Sequence, residues 1–161
     1  MDLEGHQRAA QQKRKAHQKF LNQLKKKPPK NLDYLAEEVH NEVFEQINCL
    51  ECANCCKTTG PLLTAQDIER IAKFLKMKSA AFEARYLRVD EDQDWVFQSM
   101  PCPFLLDDNA CMIYEVRPKA CREFPHTNRK KVYQINHLTL KNIEICPAAL
   151  AWVDKMNVRL G

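Results

Sequence analysis

A chain of 161 residues is the size of one ordinary domain, and with only three glycines it has no room for a glycine-rich phosphate cradle. Its net charge of +4 is unevenly spread: residues 7 to 30 hold nine Lys or Arg and no acid, and the remainder carries −5. No window approaches the apolar length of a membrane span and the N-terminus lacks a signal-peptide core, so a soluble cytosolic chain is expected, in which eight cysteines favour metal ligation or redox chemistry over disulfides.

The first thirty residues, rich in Gln, Lys, Arg and Ala, read as a basic arm, helical or disordered, that ends at Lys25, Lys26, Lys27 and the Pro28-Pro29 breaker. Few of its residues are apolar, which predicts a solvated or frayed helix. Leu32, Leu35, Val39, Val43 and Ile47 then recur at helical spacing behind Asn31 or Asp33 as cap, predicting an amphipathic helix that runs into the first cysteine. Residues 31–161 are read as one cysteine-cluster domain. After Cys56, the stretch Lys57 to Pro61 is a turn signal, and Thr64 with Asp67 forms a capping-box variant opening a helix whose buried stripe is Ile68, Ile71 and Leu75. A shorter helix follows from Ser79 through Phe82 to Tyr86, and Asp90 to Asp94 form an exposed turn.

From Trp95 the period shortens. Trp95 to Phe97, Cys102 to Leu106 and Ala110 to Tyr114 are short apolar runs, the last two separated by Asp107-Asp108-Asn109, so a small antiparallel hairpin or meander is expected there. Pro118 stands near the start of a short helix holding Cys121, Pro125 ends it, and Val132 to Leu140 alternates as a further strand. Pro147 opens a last helix containing Leu150, Trp152, Val153 and Met156. The fold class is therefore α+β and mainly helical: N-terminal helices, a small central antiparallel sheet or hairpin, and a C-terminal helix, with the cysteines gathered around a metal site.

Cys49, Cys52 and Cys55 follow a C-x2-C-x2-C spacing that puts three thiolates around one tight piece of backbone whose amides can donate to sulfur. This matches the first three ligands of a bacterial ferredoxin-type cluster run, and Cys146-Pro147 supplies the Cys-Pro dipeptide at a distance. Zinc competes, because four-cysteine sites are closed and tetrahedral. Cys102, Cys111, Cys121 and Cys146 fit no zinc-ribbon spacing, yet they can converge in space. Eight thiols suffice for two four-cysteine sites, or for one site and spare redox thiols. Cys121 and Cys146 adjoin helix starts, where the helix dipole is expected to lower a thiol pKa. Adjacent Cys55 and Cys56 diverge on any regular backbone, which leaves Cys56 the alternative of a small buried hydrophobe.

Taken together, Cys49-Leu-Glu-Cys-Ala-Asn-Cys-Cys56, Cys102-Pro-Phe-Leu105, Cys111-Met-Ile-Tyr114, Arg117-Pro-Lys-Ala-Cys-Arg-Glu-Phe-Pro125 and Cys146-Pro147 resemble the CxxCxxCC cysteine-cluster family (YkgJ-like), described as zinc- or iron-chelating. The resemblance spans roughly residues 40 to 150. It implies that Cys49, Cys52, Cys55, Cys56, Cys102, Cys111, Cys121 and Cys146 belong to one family pattern and assemble a metal region for zinc or iron, an iron-sulfur cluster included. Flagellin lysine methylases carry a related cysteine cluster, so an iron-sulfur redox protein or a protein-modifying enzyme is the alternative reading. The chain is expected to be too short for such an enzyme's additional domain.

Outside the cysteines, Arg117 and Arg122 flank Cys121 and either stabilise a thiolate or pair with Glu115 or Glu123. His126 is the best non-cysteine ligand candidate, although an exposed loop histidine is the simpler account. No histidine and acid single out one cysteine as a nucleophile, so no catalytic residue is assigned. The partner is read as a metal ion, with no membrane. A nucleic acid or acidic protein could meet the basic arm through charge, without base stacking, since Phe20 is its one aromatic.

Overall fold

The computed structural model describes residues 2–161, of which 63% are helical, so the mainly helical α+β reading holds. In chain order the elements are α1 (Leu3–Lys26), α2 (Leu32–Gln46), α3 (Asn54–Thr58), α4 (Ala65–Phe74), α5 (Ser79–Tyr86), β1 (Leu87–Val89), β2 (Trp95–Phe97), α6 (Lys119–Glu123), α7 (Asn136–Ile145) and α8 (Pro147–Leu160). Short 3-10 turns occupy Cys49–Glu51, Tyr114–Val116 and Val132–Ile135. The chain divides into two compact units, Met1–Cys52 with Pro125–Gly161, and Ala53–Phe124.

The first unit is all helical. α1 packs on α7 and α8, α2 packs on α8, and the last two helices pack on each other. Its core takes Phe20, Leu21 and Leu24 from α1, Leu32, Val39 and Val43 from α2, Ile143 from α7, and Trp152, Val153 and Met156 from α8. Trp152 is fully buried and donates its Nε1–H to the Ala36 carbonyl at 3.1 Å, which satisfies the one polar atom of a large apolar side chain.

Two expectations fail in this unit. The basic arm is not a solvated or frayed helix: α1 buries His6, Ala10, His17, Phe20, Leu21 and Leu24 along one face. Two histidines make up the shortfall in apolar residues. His17 Nε2 meets Asp154 Oδ1 at 2.9 Å while Lys13 Nζ reaches Asp154 Oδ2 at 2.8 Å, and His6 Nε2 bonds the Glu144 carbonyl. The strand expected over Val132 to Leu140 is instead a 3-10 turn leading into α7. Thr139, Leu140 and Ile143 are buried at helical spacing, a period that a nine-residue apolar run cannot distinguish from alternation.

The second unit is a small α+β core. Antiparallel β1 and β2 pair Leu87 with Phe97, Arg88 with Val96 and Val89 with Trp95. Their turn is the acidic stretch, where Asp90 Oδ1 accepts from the Asp92 and Asp94 amides, both at 2.9 Å. The sheet therefore lies one segment earlier than expected. Between Cys102–Leu106 and Ala110–Tyr114 only the bridge Leu105–Cys111 forms, because the amides around each cysteine are spent in local turns: Leu105 N to the Cys102 carbonyl, and Tyr114 N to the Cys111 carbonyl. The capping box is as predicted: Asp67 N donates to Thr64 Oγ1 at 3.1 Å, and Thr64 N donates to Asp67 Oδ2 at 2.9 Å. Ile68, Ile71, Phe82, Leu87, Phe97, Phe104 and Ile113 fill the core.

Candidate metal centre

The Cys49–Cys56 run is split by its own backbone. Cys49 and Cys52 close a 3-10 turn through a 3.0 Å bond from Cys52 N to the Cys49 carbonyl. Ala53 then adopts a left-handed φ of 49°, a conformation that costs a residue with a Cβ, and α3 starts on the far side of it carrying Cys55 and Cys56. The unit boundary falls at this residue, so Cys49 and Cys52 end one unit while Cys55 and Cys56 begin the other. No disulfide joins any of the eight cysteines.

Within the second unit, Cys56, Cys102, Cys111 and Cys121 sense one another's charge. Cys102 N donates to the Cys56 carbonyl at 2.8 Å and ties its loop to α3. Burial pushes the Cys102 thiol up to about 11, against N–H groups of Phe104 and Leu105 that favour the thiolate, with Cys56 and Cys111 adding repulsion. Burial likewise raises Cys111, opposed by the Ile113 N–H and the Arg117 guanidinium. Cys121, the deepest of the four, is pushed up to about 12 by burial and by Cys56, Cys102 and Cys111, with Arg117 opposing. A dipole-lowered thiol was expected at Cys121; α6 is a five-residue helix, and its partial charge does not offset burial among neighbouring thiols. Cys56 goes the other way, down to about 7, because the Cys55 thiol donates to it more strongly than burial opposes. It is therefore the first of the group to lose its proton. In metal-free protein, ultraviolet thiolate absorbance should rise through a first step with its midpoint near pH 7, and Cys56→Ser should remove that step; an unchanged first step in the variant would contradict the assignment.

Arg117 owes its place to a buried carboxylate. Asp67 is 1% exposed and accepts from Arg70 Nη2 at 2.7 Å and from the Lys119 amide at 3.1 Å, in addition to its bond from the Thr64 amide. Arg70 also donates to the carbonyls of Val116 and Arg117 at 3.3 and 2.9 Å, so the pair pins both ends of the turn that leads into Cys121. Arg117 itself lies over the Tyr114 ring, 4.0 Å from its centroid, and donates to the Tyr114 carbonyl. Burial raises the Asp67 pKa, but the donors from Thr64, Arg70 and Lys119 outweigh it and hold the carboxyl below its ordinary value. A depressed carboxylate stabilises the fold above its unfolded pKa, and that stability is lost as pH falls through the folded value. Asp67→Asn should cost about 3 kcal/mol, read from urea unfolding at neutral pH, by stranding a guanidinium and breaking the cap; a loss too small to resolve would refute the pinning role.

In the first unit the neighbours are Cys49, Cys52 and Cys146. Cys146 is the residue from which α8 starts; its side chain makes no cap hydrogen bond, but the Ala148 and Ala149 N–H groups favour its thiolate, so a helix start does face it as expected. Burial still prevails, and with Cys49 and Cys52 nearby the thiol is pushed up to about 11. Cys49 itself is exposed and Cys52 half-buried. Among the described residues, no three His, Cys, Asp or Glu side chains already stand at metal-holding separation. The thiols are grouped by mutual charge and shared backbone bonds, not by a preassembled coordination shell.

The remaining candidates divide. Arg117 faces the thiols, whereas Arg122 is exposed and Glu123 pairs with Lys119 at 3.9 Å. His126 occupies a left-handed turn with φ 65°, half-buried, with its carbonyl accepting from the Arg129 amide. His40 has Nδ1 2.6 Å from Thr127 Oγ1 and its ring against Phe44. The Asp67–Arg70 clamp was not legible beforehand. The capping box signalled Asp67, but nothing in the sequence linked that carboxylate to Lys119, 52 residues on. No helix among the described residues is long and apolar enough to cross a membrane.

Comparison with known proteins agrees with this cysteine frame. The model of the CxxCxxCC family, described as "Putative zinc- or iron-chelating domain", matches residues 48–146, a span that begins just before Cys49 and ends on Cys146. The uncharacterized protein MJ0661 of Methanocaldococcus jannaschii is 31% identical over 83 residues, which are 50% of this chain and 44% of that protein. The chain thus spans less than half the length of this relative. No solved structure matches.

Proposed function

The chain belongs to the CxxCxxCC family of zinc- or iron-chelating domains, and from that premise we propose that it holds its metal through two separate groups of thiols. The first group is Cys56, Cys102, Cys111 and Cys121; the second is Cys49, Cys52 and Cys146. Cys55 serves the first group by donating to Cys56.

One observation carries the reading: four thiols of a single unit lie within range of each other's charge, three of them with pKa values raised by burial, while the Phe104, Leu105 and Ile113 amides are directed at sulfur. Several buried thiolates side by side are costly, and amides aimed at sulfur favour the charged form. A bound cation resolves the conflict, because it takes up thiolates, displaces their protons and draws the four sulfurs inward as it binds. The donor set fits the family's metals: an all-sulfur tetrahedral shell suits zinc and iron-sulfur centres, whereas magnesium and calcium need oxygen. Four thiolates fill a tetrahedral ion completely, as in structural sites. Three thiolates in the second group leave one position for water or an exchanging ligand.

Protein purified without oxygen, with metals quantified by mass spectrometry and a visible spectrum recorded, tests the reading. Colourless protein with stoichiometric zinc identifies a zinc chelator, and brown protein with acid-labile sulfide identifies an iron-sulfur protein. Protein that contains neither metal and takes up neither on reconstitution would overturn the proposal.

A further inference from the structure

Independently of any metal, we infer that the outer face of α1 is a docking surface for the phosphate backbone of a nucleic-acid duplex.

At about 100° per residue, Arg8, Lys15, Lys19 and Lys26 all fall within about 20° of one line along the helix, and that line spans about 27 Å. All four are exposed. The buried face, carrying Ala10, His17, Phe20, Leu21 and Leu24, is diametrically opposite, so packing fixes the row outward. Of the other cations on the helix, Lys13 pairs with Asp154 and Arg14 with Glu144, and Lys25 stands off the row. Among the described residues, no acid is within salt-bridge distance of the four cations of the row. Glu4 is the one acid on α1 and precedes Arg8 by a turn, so the row from Arg8 onward is free of negative charge. Gln18, Asn22 and Gln23 are exposed on α1 beside Lys15, Lys19 and Lys26, and their amides are of the kind that donate to phosphate oxygens.

Three observations favour a nucleic acid over other anionic partners. The apolar face of α1 is consumed by the core of its own unit, so the helix has nothing to insert into a lipid surface. The row contains no aromatic or aliphatic anchor of the sort that dominates protein interfaces. Phe20 is buried at 5% exposure, which removes base stacking and leaves contacts with the backbone alone, indifferent to sequence. Outside residues 7 to 30 the chain carries −5, so the excess positive charge lies in the segment that α1 dominates.

Fluorescence anisotropy with a labelled 20-bp DNA or RNA duplex, titrated with full-length protein at several salt concentrations, tests the inference. Binding should weaken with salt with a log–log slope of about −3 to −4, the value for four phosphate contacts. The combined variant Arg8→Gln, Lys15→Gln, Lys19→Gln and Lys26→Gln should bind about tenfold or more weakly, each substitution removing about 1 from the slope. Glutamine keeps helix propensity, and circular dichroism verifies that α1 is retained. Lys73→Gln, Lys76→Gln and Lys78→Gln, in the other unit, should leave binding unchanged. The inference is overturned by absence of binding at low salt, by equal losses in the two sets of variants, or by displacement of the duplex by polyglutamate at equal charge, which would assign the row to an acidic protein.

Discussion

Cys102→Ser is expected to strip the first thiol group of its metal while leaving metal on the second. Cys102 is bonded through its amide to the Cys56 carbonyl and through its carbonyl to the Leu105 amide, so its position depends on backbone and not on a flexible side chain. A buried thiol raised to about 11 is a poor ligand until a metal displaces its proton, and the free energy of that displacement is then also folding free energy. A serine oxygen replaces a soft thiolate with a neutral, weakly ligating group, and affinity at the four-thiol group should fall by about a hundredfold or more. The melting temperature should fall toward that of protein stripped of all its metal by chelator, which the combination of Cys49→Ser with Cys102→Ser should match. Cys111→Ser and Cys121→Ser should match Cys102→Ser, and pairing any two of these should add little, because the first substitution has already emptied the group. Cys49→Ser or Cys146→Ser should instead remove metal from the second group only, and combining Cys49→Ser with Cys102→Ser should remove both. Equal metal loss from every single substitution would mean one shared centre and would refute the division.

The largest effect on stability is expected from Phe104→Ala. Phe104 is 1% exposed and is the hub of the second unit's aromatic core, with ring centroids 6.3 Å from Phe82, 5.8 Å from Phe97 and 4.9 Å from Tyr86. Truncating a buried phenylalanine costs about 3–5 kcal/mol through lost transfer free energy and the cavity left behind. Its backbone also donates to the Cys102 sulfur and accepts from Met112 N at 2.9 Å, so relaxation around the cavity would move the cysteine loops. The variant should lose metal more readily to chelator although no ligand has changed. Phe104→Leu, which keeps most of the volume, should retain metal with a smaller loss of stability. If Phe104→Ala unfolded at the parent's urea midpoint, the core would not be what holds the loops.

The parts of the fold that could be read beforehand were those with a local physical signature. The Thr64–Asp67 box, Pro147 at the first turn of α8, the helical stripe of α2 and the Asp90–Asp94 turn each rest on interactions within a few residues. The errors lie where long-range packing decides. α1 looked too polar to be buried, and it is docked by histidines whose partners, Asp154 and the Glu144 carbonyl, are more than 130 residues away. Residues 132–140 looked alternating, and tertiary contacts from α1 made them helical. β1 carries no signal between the helix that ends at Tyr86 and the Asp90 turn, because three residues are too few to show a period.

The cysteines followed the same rule. Their number and spacing pointed to metal, and family membership agrees. Their division into groups was not legible, since it depends on a left-handed residue at Ala53 in the middle of the most compact motif, and on loops that bring Cys102, Cys111 and Cys121 toward Cys56. The expected acidity of Cys121 and Cys146 was wrong for a related reason: position at a helix start is visible in sequence, and depth of burial is not.

X-ray absorption at the metal edge of protein purified without oxygen tests the central claim most directly. Chelation by the thiol groups predicts a first shell dominated by sulfur, at about 2.3 Å for zinc, with the sulfur count rising toward four when Cys49→Ser leaves only the four-thiol group loaded. A shell dominated by nitrogen or oxygen, or one unchanged by Cys102→Ser, would contradict it.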